Sequence, residues 1–290
     1  MGNIGFYLLR SFTWLVQQLP LRFYFVISDL VYLFIYYILR YRRRVVNKNL
    51  ANSFPEKTED ERALIARKFY RHLCDTIFEI FYFDRISEKE GRKCVTCKNP
   101  ELLNGYLDQG RQVLAFCGHY NNWELNCNLP LYTRHRVYAV YKKIKNPSFE
   151  RFYSHLRGRF GVVPLERADT FKQLYRDHND GVPSMSALLS DQTPRKFEIQ
   201  HWITFLNQDT PVLLGTEKIA HKLDAVVLFL YLRKIKRGQY ESEFGLVTDQ
   251  ARQCAPFEIT DWCNGLLEQQ IKEQPEYWLW SHKRWKHKRG

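Results

Sequence analysis

Two side chains in one short stretch have the types and spacing for proton transfer. In Gln112-Val113-Leu114-Ala115-Phe116-Cys117-Gly118-His119-Tyr120-Asn121-Asn122-Trp123-Glu124, His119 and Glu124 stand five positions apart. An imidazole takes up a proton near neutral pH, and a carboxylate on its second nitrogen fixes the tautomer and stabilises the imidazolium. On a regular helix five residues turn about 500°, which leaves the two side chains roughly 140° apart. They meet only if His119 lies in a turn and Glu124 lies inside the helix that follows. The apolar run Val113 to Cys117 predicts a buried strand, Gly118 breaks it, and Asn121 or Asn122 can cap the helix. A lone His at a strand end is also an ordinary polar loop residue. A Glu in a first helical turn is favoured by the helix dipole alone. The pair therefore needs support from the rest of the chain.

That support comes from the elements around it. Residues 93 to 260 alternate strands and helices. Strands are expected at Cys94–Cys97, Val113–Cys117, Val137–Tyr141, Val162–Leu165, Ser184–Leu189, Ala225–Leu232 and Tyr240–Val247. Helices are expected from Asn99 to Leu107, Asn122 to Leu129, Pro147 to Arg159, Asp169 to Asp177, Thr210 to Leu223 and Ile259 to Lys272. Such alternation predicts an α/β fold with a largely parallel central sheet flanked by helices. Sites in these sheets collect at the carboxyl ends of strands. His119 follows one strand end and Asp191 follows another, in Ser190-Asp191-Gln192-Thr193-Pro194. No internal repeat, phosphate-binding glycine loop or dinucleotide fingerprint is present in the sequence.

The 290 residues can bury a full core. Net charge is +13, and aromatic residues make up 16% of the chain. A basic surface attracts nucleic acid, anionic membranes or acidic partners, and charge alone does not choose among them. The seven cysteines are odd in number and scattered, which suits reduced thiols on a cytosolic face. Cys94 and Cys97 have metal-type spacing, but no second pair completes the four ligands a zinc site needs, so no metal is expected.

The N-terminus looks different. Residues 1 to 20 form a mildly amphipathic segment, and Phe23 to Leu39 is a long apolar run in which Ser28 and Asp29 are the strongly polar residues. Arg40, Arg42, Arg43 and Arg44 follow. The run is at the short end for a membrane span, and Asp29 is costly in hydrocarbon. Residues 1–44 read as a membrane-embedded or interfacial helical anchor with the arginines against cytoplasmic head groups, and 45–290 as the catalytic domain. A helix is expected from Thr58 to about Phe83, with acidic residues in its first turn. The C-terminal run Tyr277-Trp278-Leu279-Trp280-Ser281-His282-Lys283-Arg284-Trp285-Lys286 interleaves tryptophans and basic groups. Its tryptophans suit stacking on nucleic acid, a bilayer surface, or folding back onto the core.

These pieces together resemble the bacterial lipid A biosynthesis (lauroyl/myristoyl) acyltransferases, within the wider lysophospholipid acyltransferase group. The resemblance runs from about Arg42 to Lys286. It is carried by Val45-Val46-Asn47-Lys48-Asn49-Leu50 with Phe54-Pro55, by Lys98-Asn99-Pro100-Glu101, and by the Gly118 to Glu124 box in its Glu form. Asp191-Gln192 and the closing tryptophan-rich segment complete it. It implies transfer of an acyl chain from acyl carrier protein, or from coenzyme A, to a hydroxyl of a lipid A precursor. His119 would be the general base and Glu124 its orienting partner. Arg157, with Arg159 and Arg167 as further candidates, would bind head-group phosphate or steady the oxyanion. Asp191 and Gln192 would line the same pocket. A thioester is already activated, so no cofactor is required. Acyl carrier protein, an anionic lipid and the bilayer surface are the expected partners, at the bacterial inner membrane with the site facing the cytoplasm, and nucleic acid is not expected. The chain departs from the family at Trp202-Ile203-Thr204-Phe205-Leu206-Asn207, where a Pro-Phe-Phe-Gly-like segment is usual, and at Val226-Val227-Leu228. These departures bear on the acceptor, for which a lysophospholipid or an aminoacyl lipid is the alternative.

Overall fold

The computed structural model describes residues 20–289. The amphipathic segment expected over residues 1 to 20 lies, Pro20 apart, outside the described residues. The strands are β1 (Val95–Cys97), β2 (Val113–Cys117), β3 (Arg136–Tyr141), β4 (Val163–Glu166), β5 (Ser184–Leu189), β6 (Trp202–Phe205), β7 (Gln208–Pro211), β8 (Val226–Lys236) and β9 (Gln239–Thr248). The α-helices are α1 (Leu21–Leu33), α2 (Arg43–Ser53), α3 (Glu59–Phe83), α4 (Glu88–Cys94), α5 (Pro100–Asp108), α6 (Pro147–Gly158), α7 (Thr170–Asn179), α8 (Gly215–Leu223) and α9 (Glu258–Glu273).

Seven strands form one sheet in the order β1-β9-β8-β2-β5-β3-β4. Every neighbouring pair is parallel except β8 with β9. The fold is thus mixed α/β with a mostly parallel central sheet, as the alternation predicted. The middle strands are buried on both faces, which is why β2 reads as a continuous apolar run, while β5 carries two buried serines, Ser184 and Ser186, among its apolar residues. On β2, Val113, Ala115 and Cys117 enter the core on one face, and Leu114 and Phe116 enter the core on the other. β5 sits between β2 and β3, so the chain leaves β2, skips a place and returns. The crevice beyond the carboxyl ends of β2 and β5 is where a ligand is expected in such a sheet.

One expected element is corrected. The stretch from Thr210 was read as mostly helical, but Thr210 and Pro211 end the antiparallel hairpin of β6 and β7, and helix starts at Gly215. Leu206 and Asn207 form its two-residue turn, both with positive φ (50° and 61°), the geometry that matches strand twist. The short helix expected from Asn122 is a 3₁₀ helix, Trp123–Tyr132, with Pro130 inside it.

α3 starts as its sequence predicted. Thr58 and Glu61 close a reciprocal capping box, with Glu59, Asp60 and Glu61 in the first turn. α1 and the π-helical turn Phe34–Ile38 that extends it pack on α3 through Tyr24, whose ring meets Tyr82 edge-on at 5.6 Å. Leu21–Ile38 is long and apolar enough to cross a membrane, with a mean hydropathy of 1.5. Its Ser28 and Asp29 side chains bond to the rest of the protein. Asp29 pairs with Arg71 at 2.9 Å and with Arg237 at 2.8 Å, and the Ser28 hydroxyl donates to Asp75 at 2.7 Å. Val26, Leu30, Phe34 and Ile38 are exposed.

Candidate active site

Adjacent, in-register strands build the site. Cys117 of β2 pairs with Leu189 of β5, and the Ser190 N–H still donates to the Cys117 carbonyl at 3.2 Å. Two residues beyond each strand, His119 and Asp191 therefore lie side by side. Asp191 Oδ1 is 2.6 Å from His119 Nδ1, and Asp191 Oδ2 accepts the His119 backbone N–H at 2.8 Å. A carboxylate only accepts, so Nδ1 carries the proton. On the other side the Gln192 side-chain amide nitrogen lies 3.1 Å from Nε2. An amide NH₂ only donates, so Nε2 presents its lone pair, the tautomer a general base requires. Gly118 makes this approach possible. A Cβ there would sit 2.6 Å from Leu267 Cδ1 and 3.3 Å from Asp191 Oδ2.

Asp191 is buried, which by itself would raise its pKa. His119 beside it, together with donated hydrogen bonds from the His119 ring, the His119 backbone and Trp278, reverses this and holds the carboxyl down at about 2. Trp278 is the functional residue that sequence reasoning missed. Its indole N–H donates to Asp191 Oδ2 at 2.8 Å, and the residue is 2% exposed. The C-terminal strap that carries it pairs with the His box: Tyr120 bridges Trp278, Asn121 N–H donates to the Tyr277 carbonyl at 2.9 Å, and Leu279 N–H donates to the His119 carbonyl at 3.1 Å. Trp278 and Trp280 face the core, so of the roles considered for these two rings the structure favours folding inward. The available signal was a Trp in an apolar run, whose N–H needs a buried acceptor.

The two asparagines of the box hold the other side. Asn121 takes a positive φ of 55° and donates from Nδ2 to the Leu232 carbonyl at 2.7 Å. Asn122 donates from Nδ2 to Glu79 Oε2 at 2.9 Å, and Tyr240 donates to the same oxygen at 2.7 Å. His119 is thus fixed from α3, from the strap and from both neighbouring strands.

Glu124 does not supply the carboxylate for His119. The chain after His119 runs along the strap before the 3₁₀ helix begins, and this carries Glu124 to α6. There Arg157 donates to it twice, Nε to Oε2 at 3.0 Å and Nη2 to Oε1 at 2.7 Å, with both side chains largely buried. Arg157 also lies over the Tyr141 and Tyr153 rings, 5.1 and 5.3 Å from their centroids. Burial would lower its pKa, but the Glu124 carboxylate more than offsets that and raises it. The expected contact of His119 with Glu124 is therefore replaced by two separate pairs, His119 with Asp191 and Glu124 with Arg157.

His119, Gln192, Glu124 and Arg157 all line one cavity of about 1100 Å³. Its lining residues come from both faces of the sheet. On the α6 side its wall includes Cys117, Cys127, Leu129, Val137, Val162 and Leu189, all apolar. On the α8 side it includes Val140, Leu188, Phe171, Thr216 and Ile219. The Trp123 ring meets His119 edge-on at 4.9 Å. Arg167 lines the cavity and is paired with Glu198 at 3.0 Å. Arg159 turns away and donates to the Ile86 carbonyl. Asp191 stands behind His119 as its hydrogen-bond partner.

A cavity with apolar wall segments, lined by His119 and set at the carboxyl edge of a mostly parallel sheet, is where such folds bind a ligand. The sequence profile of the bacterial lipid A biosynthesis acyltransferases matches residues 2–287, and the chain belongs to that family. It is an acyltransferase of lipid A biosynthesis. Comparison with curated proteins gives no match.

Proposed function

We propose that this protein transfers a fatty acyl chain from an acyl carrier protein thioester to a hydroxyl of a lipid A precursor, with His119 as general base. The observation that carries the reading is the His119 and Asp191 pair, beside a cavity whose α6 side has an apolar wall of Cys117, Leu129, Val137 and Leu189. Nε2 takes the acceptor hydroxyl's proton as the oxygen attacks the thioester carbonyl. Asp191 keeps the ring in the right tautomer and stabilises the imidazolium. The apolar lobe holds the acyl chain. Arg157, clamped by Glu124, supplies fixed positive charge toward the oxyanion. The imidazolium then protonates the departing thiolate.

Coenzyme A thioester is the alternative donor. A lysophospholipid or aminoacyl lipid is the alternative acceptor. The exposed face of Leu21–Ile38 and the arginines that follow it support a place on the cytoplasmic leaflet of the inner membrane, with the site open to soluble donor. Mass spectrometry of lipid A and total lipids from cells with and without the gene tests this. Lipid A lighter by one acyl chain in the deletion strain supports the reading. Unchanged lipid A with a missing phospholipid or aminolipid moves the acceptor.

A further inference from the structure

We propose that the lobe of the cavity beside α8 is an anion subsite, in which Lys218 and Lys222 hold a phosphate of the substrate. The inference rests on the acyl-transfer reading and adds to it what the second lobe binds. Lys218 and Lys222 are one helical turn apart on α8 and both line the cavity. The helix's carboxylate, Glu217, is turned inward, where it accepts the backbone N–H groups of Phe257 at 2.5 Å and Thr260 at 2.9 Å. α8 therefore offers cations to the cavity and keeps its acid out of it.

The rest of the cavity adds to the imbalance. The glutamates that line it are already matched, Glu124 by Arg157 and Glu198 by Arg167. Lys142, Arg195 and Lys286 line it as well. Among the described residues, neither these three nor Lys218 and Lys222 make an ion pair with a carboxylate, and Lys218 Nζ instead donates to the Gln200 side-chain oxygen at 2.5 Å. On a convex face such lysines would simply be solvated. Here they converge on a concavity that leads to His119, where like charges focus an anion. A lysine ammonium suits phosphate as a point charge with three donors. The phosphate can come from the acceptor glycolipid or from the phosphopantetheine arm of the donor.

The test is the purified Lys218→Gln/Lys222→Gln double variant, with KM measured separately for donor and acceptor. The acceptor is used both as phosphorylated and after phosphatase treatment. Loss of charged contacts predicts an acceptor KM about 10- to 100-fold higher, with kcat nearly unchanged. The phosphatase-treated acceptor is expected to give the same KM with variant and wild type. A rise in donor KM instead keeps the subsite and assigns its phosphate to the donor. The proposal is overturned if neither KM moves, or if the acceptor KM rises equally with and without phosphate. A wild type that transfers no acyl chain sinks the acyl-transfer reading and leaves the subsite to calorimetric titration with inorganic pyrophosphate. Weaker binding by the double variant then upholds the subsite, and equal binding removes it.

Discussion

Asp191→Asn changes one atom and, on this geometry, reverses the tautomer of His119. Oδ2 of Asp191 accepts two N–H groups, from the His119 backbone and from Trp278, each at 2.8 Å. Oδ1 accepts the third, from Nδ1 at 2.6 Å. Asparagine has one oxygen. If that oxygen serves the two fixed donors, its NH₂ points at Nδ1, which must then give up its proton and become the acceptor. Nε2 becomes protonated and cannot serve as base. The wrong tautomer costs a serine-protease triad about 10⁴ in kcat, and a fall of about 10³ to 10⁴ is predicted here. The charge matters as well. Depression of the Asp191 pKa from 3.8 to about 2 corresponds to about 2 kcal/mol favouring the ionised form in the folded protein. Because the folded value is the lower one, this stability is present above pH ~4 and fades as pH falls towards 2. The assay is steady-state transfer by the purified variant, paired with ¹⁵N NMR of the His119 ring. The reasoning is refuted if Asp191→Asn turns over within about threefold of wild type, or if its ring still carries the proton on Nδ1.

Further perturbations follow from the same contacts. Glu124→Ala strands the Arg157 guanidinium, whose side chain is 12% exposed, and is predicted to cost about 3 to 5 kcal/mol in urea unfolding; a loss below about 1 kcal/mol would contradict a buried pair. Gly118→Ala forces Leu267 and the Asp191 carboxylate to give way, with an expected cost of about 1 to 3 kcal/mol and reduced kcat; unchanged melting and activity would show that the close approach is not needed. Burial holds His282 down at about 4, so the unfolded chain takes up its proton first as pH falls. Stability should therefore drop between pH about 6.5 and 4, and His282→Gln should flatten that limb of the thermal melts; parallel limbs would remove His282 as the cause.

Much of the fold was legible because strands and helices alternate along the chain, and buried parallel strands are short and mainly apolar. β2 and β5 have the bounds their sequences predicted, Val113–Cys117 and Ser184–Leu189. The acidic residues after Thr58 marked the first turn of α3 in the sequence. The hairpin at Leu206 and Asn207 was not legible, since nothing in that dipeptide demands two positive φ angles as an Asn-Gly pair would. His119 itself was legible as a polar residue after a strand and a glycine. Its partner was not, because Asp191 lies 72 residues away and meets it only through the strand order, which puts β5 beside β2. Five-residue spacing suggested Glu124, but spacing assumes one regular turn and helix, and the box instead runs along the C-terminal strap before its 3₁₀ helix starts. Trp278 marked locally only that its N–H needs a buried acceptor, and not which one. Its contact with Asp191 spans 87 residues.

The most direct test of the account is acyl transfer with purified components. Wild-type protein and His119→Gln would each be given acyl carrier protein loaded with a fatty acid and a lipid A precursor, and the lipid followed by mass spectrometry. The account predicts that wild type adds the mass of one acyl chain at the expense of one acceptor hydroxyl, and that His119→Gln slows the addition by about 10² to 10⁴ while melting like wild type. No mass gain with wild type, or a wild-type rate with His119→Gln, would contradict it.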